Sequence, residues 1–368
     1  MTGVTAPSLA VFNDPTYPQF LENRLFALDD PELNRDDQLL PFARLREFLA
    51  ARNVSLHTAD YLDHATHRAP VNHYWSLGLT DRCDSVALRG DVELQGFVLL
   101  EPPLVAHRTY RHLPRLSRLF NTLYLHNVVG DGYCLSGVDT HKLRKLRVPQ
   151  PYHRVSVHHW DRGERQNRIV AIAGNHRPPS PRNEHYSTRV IAIAALARHG
   201  AVDLFGKGWD RGWSRQSMYC AYWRHRAALM RVYQGSTPCK LATLSNYRFS
   251  LCFENSSLQG YLTEKIFDCF YAGTVPIYLG APDIKNLIPA ECYVDAREFD
   301  SWDSMWERIR GMSDAEWRRM REAGRGFVQG PQGSVYSDAL PRMFADTLEI
   351  GKQQADANLS RTSTASLE

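Results

Sequence analysis

The chain has 368 residues, of which 43% are hydrophobic and 23% charged, a composition typical of a globular protein and not of a disordered or fibrous one. Because this length exceeds the size at which a single hydrophobic core keeps growing, we expect two domains. The net charge of +4, from 44 basic and 40 acidic side chains, is too small an excess to predict nucleic-acid binding.

The first half of the sequence predicts alternating strands and helices. A short apolar run, Leu9 to Phe12, predicts a strand, and LLPFARLREFLAARNV after it has the apolar spacing of an amphipathic helix. SLHTA and FVLLEPPLV predict further strands, and the unbroken run from Phe97 to Leu100 is typical of a buried parallel strand. We therefore predict a first α/β domain over residues 1–150.

An irregular stretch, residues 148 to 166, mixes proline, histidine and charge and predicts an interdomain linker. After it, strand and helix patterns alternate again through RIVAIAG, STRVIAIAALARHG, VDLFG, FSLCFEN, TEKIFDCFYAG and TVPIYLG. This order predicts a second doubly wound parallel domain over residues 167–335 that faces the first across a cleft. We predict a helix at 336–350 that packs back on the first domain, and a polar tail at 351–368.

Neither a secretory signal nor an apolar run near the roughly 18 residues of a membrane helix is recognisable. We therefore expect a cytoplasmic protein without a transmembrane segment, and peripheral membrane contact stays open. The seven cysteines are scattered and show no CxxC spacing, so free thiols are expected. His153, His158 and His159 lack a carboxylate partner and are not interpreted as metal ligands.

The segment from Phe253 to Gly280 has the layout of an anion site. A strand ends at Phe253, a polar loop follows, and a helix begins after Thr263, the expected N-cap. In open α/β sheets ligands bind beyond the carboxyl ends of the strands, and a helix N-terminus favours a phosphate. Lys265 in the first helical turn suits a bound anion, since the helix dipole alone disfavours a cation there.

The sequence of this segment, FENSSLQGYLTEK followed by AGTVPIYLG, resembles the donor-binding signature of the family 10 glycosyltransferases, the α-1,3/α-1,4-fucosyltransferases. The strong resemblance covers residues 247 to 302. It implies a GT-B arrangement of two Rossmann-like domains, with the GDP-sugar held by the second. Asn255, Tyr261, Glu264 and Lys265 fall on the family's donor contacts, Lys265 near the diphosphate and Glu264 near the ribose. A surface carboxylate at Glu264 and a packing role for Tyr261 are the alternatives.

Upstream, GNHRPPSPRNEHYSTR is similar to the segment in which the family places an arginine on the diphosphate. Arg182 is preferred there, with Arg189 as the competitor, because Arg189 lies on the helix proper and suits a solvated or interdomain cation. FGKGW resembles the family's glycine-containing loop, where Gly206 and Gly208 permit close backbone approach. Lys207 is a further candidate phosphate contact, with a solvated lysine as the alternative.

The catalytic base is expected from the first domain. Glu101 follows the strand FVLL, and EPP resembles the family's Glu-Ser-Pro motif, whose glutamate is assigned the role of catalytic base. Pro102 departs from the serine of that motif. A solvated carboxylate at the end of a strand is the alternative, and His107 and His126 are the other candidate bases. The chain has no Asp-x-Asp motif that would bind a metal ion together with a sugar nucleotide. We therefore expect an enzyme that needs neither a metal nor another cofactor.

The resulting hypothesis is an inverting transferase of glycan biosynthesis, such as protein glycosylation or lipopolysaccharide modification. It would move fucose from GDP-fucose to a hydroxyl of a carbohydrate acceptor. Two alternatives stay open: the same fold acting on a different nucleotide sugar, and a catalytically inactive glycan- or nucleotide-binding relative.

Overall fold

Within residues 7–346, eleven parallel strands form two separate sheets. The structure, a computed structural model, describes residues 7–346, and the predicted polar tail at 351–368 lies outside them. The first sheet has the order β2-β1-β3-β4-β5-β6 and every neighbouring pair in it is parallel. Its strands are β1 Leu9–Asp14, β2 Val54–Thr58, β3 Val71–Ser76, β4 Glu93–Val98, β5 Thr122–Leu125 and β6 Leu143–Lys145.

Both faces of the first sheet are buried. Ala10 and Phe12 lie in one hydrophobic core, and Val11 between them lies in the other, because successive side chains of a strand point to opposite faces. The helices of this domain are α1 Leu40–Ala50, α2 Cys83–Ala87, α3 His107–Arg111 and α4 Leu113–Leu119. This two-sided burial explains the unbroken apolar runs from Leu9 to Phe12 and from Phe97 to Leu100.

The second sheet has the order β11-β10-β9-β7-β8 and is also parallel throughout. A short helix, α5 Val157–Trp160, lies in the predicted linker. The strands are β7 Gln166–Ile172, β8 Val202–Phe205, β9 Tyr247–Phe253, β10 Val275–Leu279 and β11 Val294–Asp295. The helices are α6 Tyr186–Ala197, α7 Cys220–Val232, α8 Lys240–Leu244, α9 Glu264–Ala272, α10 Trp302–Arg310, α11 Asp314–Gln329 and α12 Pro331–Ser337. The prediction of two doubly wound domains is confirmed.

The end of the described chain returns to the first domain. After α12, residues 339–346 are helical, and Leu340, Met343 and Phe344 join the core that contains Val11. The Phe344 ring stacks on Trp75 with centroids 3.9 Å apart. Residues 339–346 of the predicted 336–350 helix therefore complete the first domain, whereas Tyr336 on α12 lies in a core of the second domain. Across residues 7–346, no helix has the length and apolarity needed to cross a bilayer.

Candidate active site

The donor-like segment lies at the carboxyl end of a central strand. β9 lies between β10 and β7, and its last residue, Phe253, is followed by a loop that leads to the first residue of α9, Glu264. Gly273 ends α9 in the left-handed conformation, with φ of 71°, as expected of a helix that stops at glycine. The central position of β9 brings the loop to the edge where ligands of open α/β sheets bind.

Glu254 organises this loop. It directly follows β9 and is fully buried. Its carboxylate accepts hydrogen bonds from the Thr263 backbone N–H at 2.8 Å and from the Thr263 hydroxyl at 2.8 and 3.0 Å. Thr263 is the N-cap residue of α9, but its hydroxyl bonds Glu254 and makes no side-chain cap bond to the helix, which corrects the capping role expected from the sequence. Glu254 therefore joins the end of β9 to the start of α9.

Lys265 lies between two carboxylates. Its Nζ is 3.1 Å from Glu254 Oε2 and 3.5 Å from Glu264 Oε1, and its side chain is 28% exposed. Burial opposes its charge, but the two carboxylates raise the pKa of Lys265 well above its ordinary value. Burial likewise opposes the charge of Glu264, while Lys265 and Lys240 lower its pKa to about 2. The site thus presents a permanent, partly accessible ammonium that an incoming phosphate can contact.

Glu101 approaches this group from the other domain. It lies three residues beyond the end of β4 at Val98 and is half-buried, so the strand ends earlier than the run FVLL suggests. Burial raises the pKa of Glu101, the Lys265 charge lowers it, and the Glu264 charge raises it further. Because Glu101 is half-buried, it is not the freely solvated group of the alternative interpretation, and its role as the base stays a prediction.

The two histidine candidates lie in different environments. His126 is 1% exposed, its Nε2 is 2.9 Å from the Leu100 carbonyl, and its ring meets Tyr261 edge-on at 4.8 Å. Burial lowers the pKa of His126 to about 4, so it is neutral at pH 7 and a weak base. Because a carbonyl only accepts, Nε2 must carry the proton. His107 is exposed on α3.

The structure places the two candidate arginines differently. Arg189 is buried on α6, where its Nη2 donates to the Phe253 carbonyl at 2.6 Å, and its charge acts on Lys265. Arg182 is exposed and lines a cavity with Asn183, Ser256 and Ser257. The solvated interpretation of Arg189 is wrong, because its side chain is buried against the end of β9. Which of the two arginines contacts a diphosphate stays a prediction.

The remaining predicted donor residues border the same edge. Gly206 has φ of 136°, and a Cβ there would lie 1.9 Å from the Ala173 carbonyl oxygen, so only glycine fits. Lys207 is exposed and lines a cavity of about 630 Å³ together with Glu264. Gly208 follows with φ of 85°. Asn255 is half-buried, and its carbonyl accepts from the His185 N–H at 3.0 Å.

The loop before α9 is also fixed to the first domain. The Gln259 N–H donates to Asp131 Oδ2 at 2.8 Å, and Asn127 Nδ2 donates to the Gln259 carbonyl at 3.4 Å. A Cβ on Gly260 would lie 2.1 Å from the His126 carbonyl oxygen. The first domain therefore helps to position the loop that carries Tyr261. Only the tertiary structure reveals the roles of Glu254, Asp131 and Gly260.

Other reactive side chains do not assemble into a centre. All seven cysteines lie within the described residues and are free thiols. His153 Nδ1 is 2.9 Å from the Ser337 hydroxyl, which is a structural contact. Over residues 7–346, no three His, Cys, Asp or Glu side chains form a group that could hold a metal ion.

Comparison with known sequences identifies the second domain. Residues 166–321 match the family model described as Glycosyltransferase family 10 (fucosyltransferase) C-term. An α-(1,4)-fucosyltransferase of Arabidopsis thaliana is 30% identical over 103 residues, 27% of this chain and 26% of that protein. Human α-(1,3)-fucosyltransferase 7 is 36% identical over 127 residues, 34% of this chain and 31% of that protein. The aligned part of the chain thus spans less than a third of either relative.

Solved structures show the same fold at lower identity. An α1,3-fucosyltransferase crystallised with GDP has a TM-score of 0.51 and 15% identity, over 95% of this chain and 92% of that one. A sucrose-phosphate synthase from Thermosynechococcus elongatus has a TM-score of 0.59 and 12% identity, over 96% of this chain and 100% of that one. The fold is that of the GT-B glycosyltransferases, and residues 166–321 match the C-terminal domain of glycosyltransferase family 10.

Proposed function

We propose that this protein is an inverting glycosyltransferase that moves L-fucose from GDP-fucose to a hydroxyl of a glycan acceptor. The observation that carries the proposal is the place of Glu101 at the wall of the first domain that meets the family 10 domain. The carbonyl of the preceding residue, Leu100, accepts from His126 Nε2 at 2.9 Å, and the His126 ring lies 4.8 Å from that of Tyr261 in the donor-like segment. A base on one wall of the cleft and an anion site on the other are what transfer between two bound substrates requires. The family match of residues 166–321 supports fucose as the sugar.

In this mechanism the acceptor hydroxyl oxygen attacks the anomeric carbon of the donor. The new C–O bond forms as the bond from that carbon to the diphosphate oxygen breaks, and the hydroxyl proton passes to the Glu101 carboxylate. Lys265 and Arg189 stabilise the negative charge of the departing GDP, and Glu264 binds the ribose hydroxyls. Burial of Glu101 favours its role as the base, because burial raises the pKa of the carboxylate and a base whose pKa is closer to the working pH accepts a proton more readily.

A Glu101→Gln variant tests the base. Glutamine has nearly the same size but cannot take the proton, so we expect the transfer rate to fall by about 10²-fold or more while GDP binding is unchanged. Glu47→Gln is the matched control, since Glu47 is an exposed carboxylate on α1 of the same domain. Transfer at the wild-type rate by the Glu101 variant would refute the assignment.

A panel of sugar nucleotides tests the donor. The largest thermal shift and the fastest donor hydrolysis are expected with GDP-fucose, and a larger response to UDP-sugars would favour the alternative of a different sugar. Binding of GDP-fucose without hydrolysis or transfer would favour the inactive relative. We also propose that the reaction needs no metal, so activity should survive EDTA, and a loss restored by Mg²⁺ or Mn²⁺ would contradict this.

The cytoplasmic location and peripheral membrane contact are likewise proposals. Fractionation of the producing cell into soluble, peripheral and integral pools would test both.

A further inference from the structure

A groove runs along the interdomain cleft next to Glu101. Two cavities of about 460 and 410 Å³ share Pro103, His107, Arg111 and Gly132 in their walls, so they adjoin and together offer a space of the size that binds small ligands. The Tyr110 hydroxyl, at one wall, donates to the Glu101 carbonyl at 3.2 Å. We call this space the basic groove. Pro103 in its wall is two residues beyond the proposed base, Glu101.

The charge of the basic groove has a single sign. Arg111 and Arg182 line it from the two domains, and His107 belongs to the wall that the two cavities share. In the described chain no carboxylate is among the lining residues. The sequence reflects this, since residues 102–130 and 173–183 contain neither Asp nor Glu. A cleft lined by one sign of charge attracts ligands of the opposite sign.

Among residues 7–346, neither groove arginine has an acidic partner. In the described part of the chain no carboxylate lies within ion-pair distance of Arg111 or Arg182, although Arg115, close by on α4, pairs with Asp84. Two guanidinium groups that share a cavity repel each other unless an anion separates them. The planar, multi-donor guanidinium is also well matched to carboxylate and to sulfate or phosphate groups.

The rest of the wall suits a sugar. Tyr110 and Tyr133 lie with ring centroids 4.7 Å apart, and both border the groove with Pro103, so the wall offers apolar surface for a pyranose face. Ser256, also in the wall, is 3% exposed. Its hydroxyl is buried without a hydrogen-bond partner among residues 7–346. A buried polar group left unpaired in this way points to a polar ligand.

We propose that the basic groove binds the acceptor, and that the acceptor is an anionic glycan whose carboxylate, or sulfate or phosphate ester, contacts Arg111 and Arg182. The inference rests on the proposed transferase function and deepens it by naming the substrate class. It assigns Arg182 to the acceptor, whereas the sequence alone favoured the donor diphosphate. The donor anion is then held by Lys265 and Arg189, and the acceptor anion by a separate pair of arginines.

Matched acceptors test the proposal. Fucose transfer from GDP-fucose is measured to N-acetyllactosamine and to the same disaccharide bearing either a sulfate ester or a terminal glucuronic acid. We expect kcat/KM for at least one anionic form to exceed that for the neutral form by about tenfold or more, since a hydrogen bond to a charged group is worth about that much. The preference should shrink at 0.5 M NaCl. The two anionic arms distinguish sulfate from carboxylate.

The variants Arg111→Ala and Arg182→Ala should each remove most of that preference while leaving KM for GDP-fucose unchanged. Arg118→Ala, at an exposed position on α4 outside the groove lining, is the control and should behave as wild type. Equal kcat/KM for neutral and anionic acceptors would overturn the proposal. A raised KM for GDP-fucose in Arg182→Ala would return that residue to the donor.

A binding measurement separates this inference from the proposed function. Saturation-transfer NMR with the sulfated and glucuronylated disaccharides, in the presence of GDP, reports glycan binding without transfer. If GDP-fucose is neither hydrolysed nor transferred, the proposed function fails, yet loss of anionic-glycan binding in Arg111→Ala would still support the groove. Equal NMR responses from neutral and anionic glycans would refute the groove whatever the activity.

Discussion

The clearest test of the donor loop is the substitution Glu254→Gln. It preserves the size of a fully buried side chain and removes its charge. In the wild-type protein the Glu254 carboxylate accepts hydrogen bonds from the Thr263 N–H at 2.8 Å, the Thr263 hydroxyl at 2.8 Å and Lys265 Nζ at 3.1 Å. The glutamine oxygen can still accept from one or two of these donors. Its NH₂ group only donates, so Lys265 or the Thr263 hydroxyl loses its partner.

The magnitude follows from those contacts. Hydrogen bonds to charged groups contribute about 1.5–3 kcal/mol each, and one such bond is lost while the others weaken. Lys265 is 28% exposed, so water replaces part of its interaction. We therefore expect the free energy of unfolding of the second domain to fall by about 2–3 kcal/mol. At about 2–4 °C per kcal/mol for a domain of this size, its Tm should fall by about 4–12 °C.

Differential scanning calorimetry without and with saturating GDP is the assay. GDP stabilises whatever binds it, and the diphosphate supplies Lys265 with a new anionic partner, so the deficit of Glu254→Gln should narrow when GDP is present. Glu291→Gln, at an exposed carboxylate of the same domain, is the control and should unfold like wild type. Adding Lys265→Met to both backgrounds gives the coupling energy between Glu254 and Lys265.

Two results would refute this reasoning. A Glu254→Gln protein that unfolds at the wild-type temperature would show that the three hydrogen bonds do not hold the loop. A deficit that stays the same with GDP would show that Lys265 does not contact the diphosphate.

Two further predictions concern the interface between the domains. Gly260→Ala should lower the free energy of unfolding, measured in urea, by about 2–4 kcal/mol, because the new Cβ would lie 2.1 Å from the His126 carbonyl oxygen and φ is 73°. Gly163→Ala is the control and should change little, since nothing lies within 4 Å of a Cβ there. Equal effects of the two substitutions would contradict the close approach at Gly260. His126, with its pKa lowered to about 4, resists protonation in the folded state, so stability should decline as the pH falls from about 6.5 toward 4, by roughly 3 kcal/mol from this residue. His126→Gln, whose amide can still donate to Leu100, should flatten that decline, and an unchanged pH profile would place the titration elsewhere.

Sequence patterns predicted the elements whose residues are strongly apolar or clearly terminated. β1 and α9 are examples, since β1 is a short buried run and α9 ends at Gly273. β3, with the sequence VNHYWS, was not predicted, because its buried Asn72, His73 and Ser76 hide the apolar pattern. Their burial depends on neighbouring strands that are distant in sequence.

The site was predicted in part for the same reason. Glu264 and Lys265 can be recognised as donor-site candidates because they are adjacent in a distinctive sequence motif. Glu254 looks like an ordinary loop carboxylate, and its burial depends on Thr263 and Lys265 folding back over it. Arg189 looks like a helix-surface cation, and it is buried because the end of β9 lies against it.

The return of the last described helix to the first domain has a consequence for synthesis on the ribosome. Leu340, Met343 and Phe344 fill the core around Trp75, yet they are translated after the whole second domain. The first domain therefore emerges with an unfinished hydrophobic face, while residues 166–321 already have all of their own strands. Domains usually fold in order of emergence. In this chain the second domain can finish first, and the nascent first domain exposes an apolar surface that chaperones can bind until Phe344 arrives.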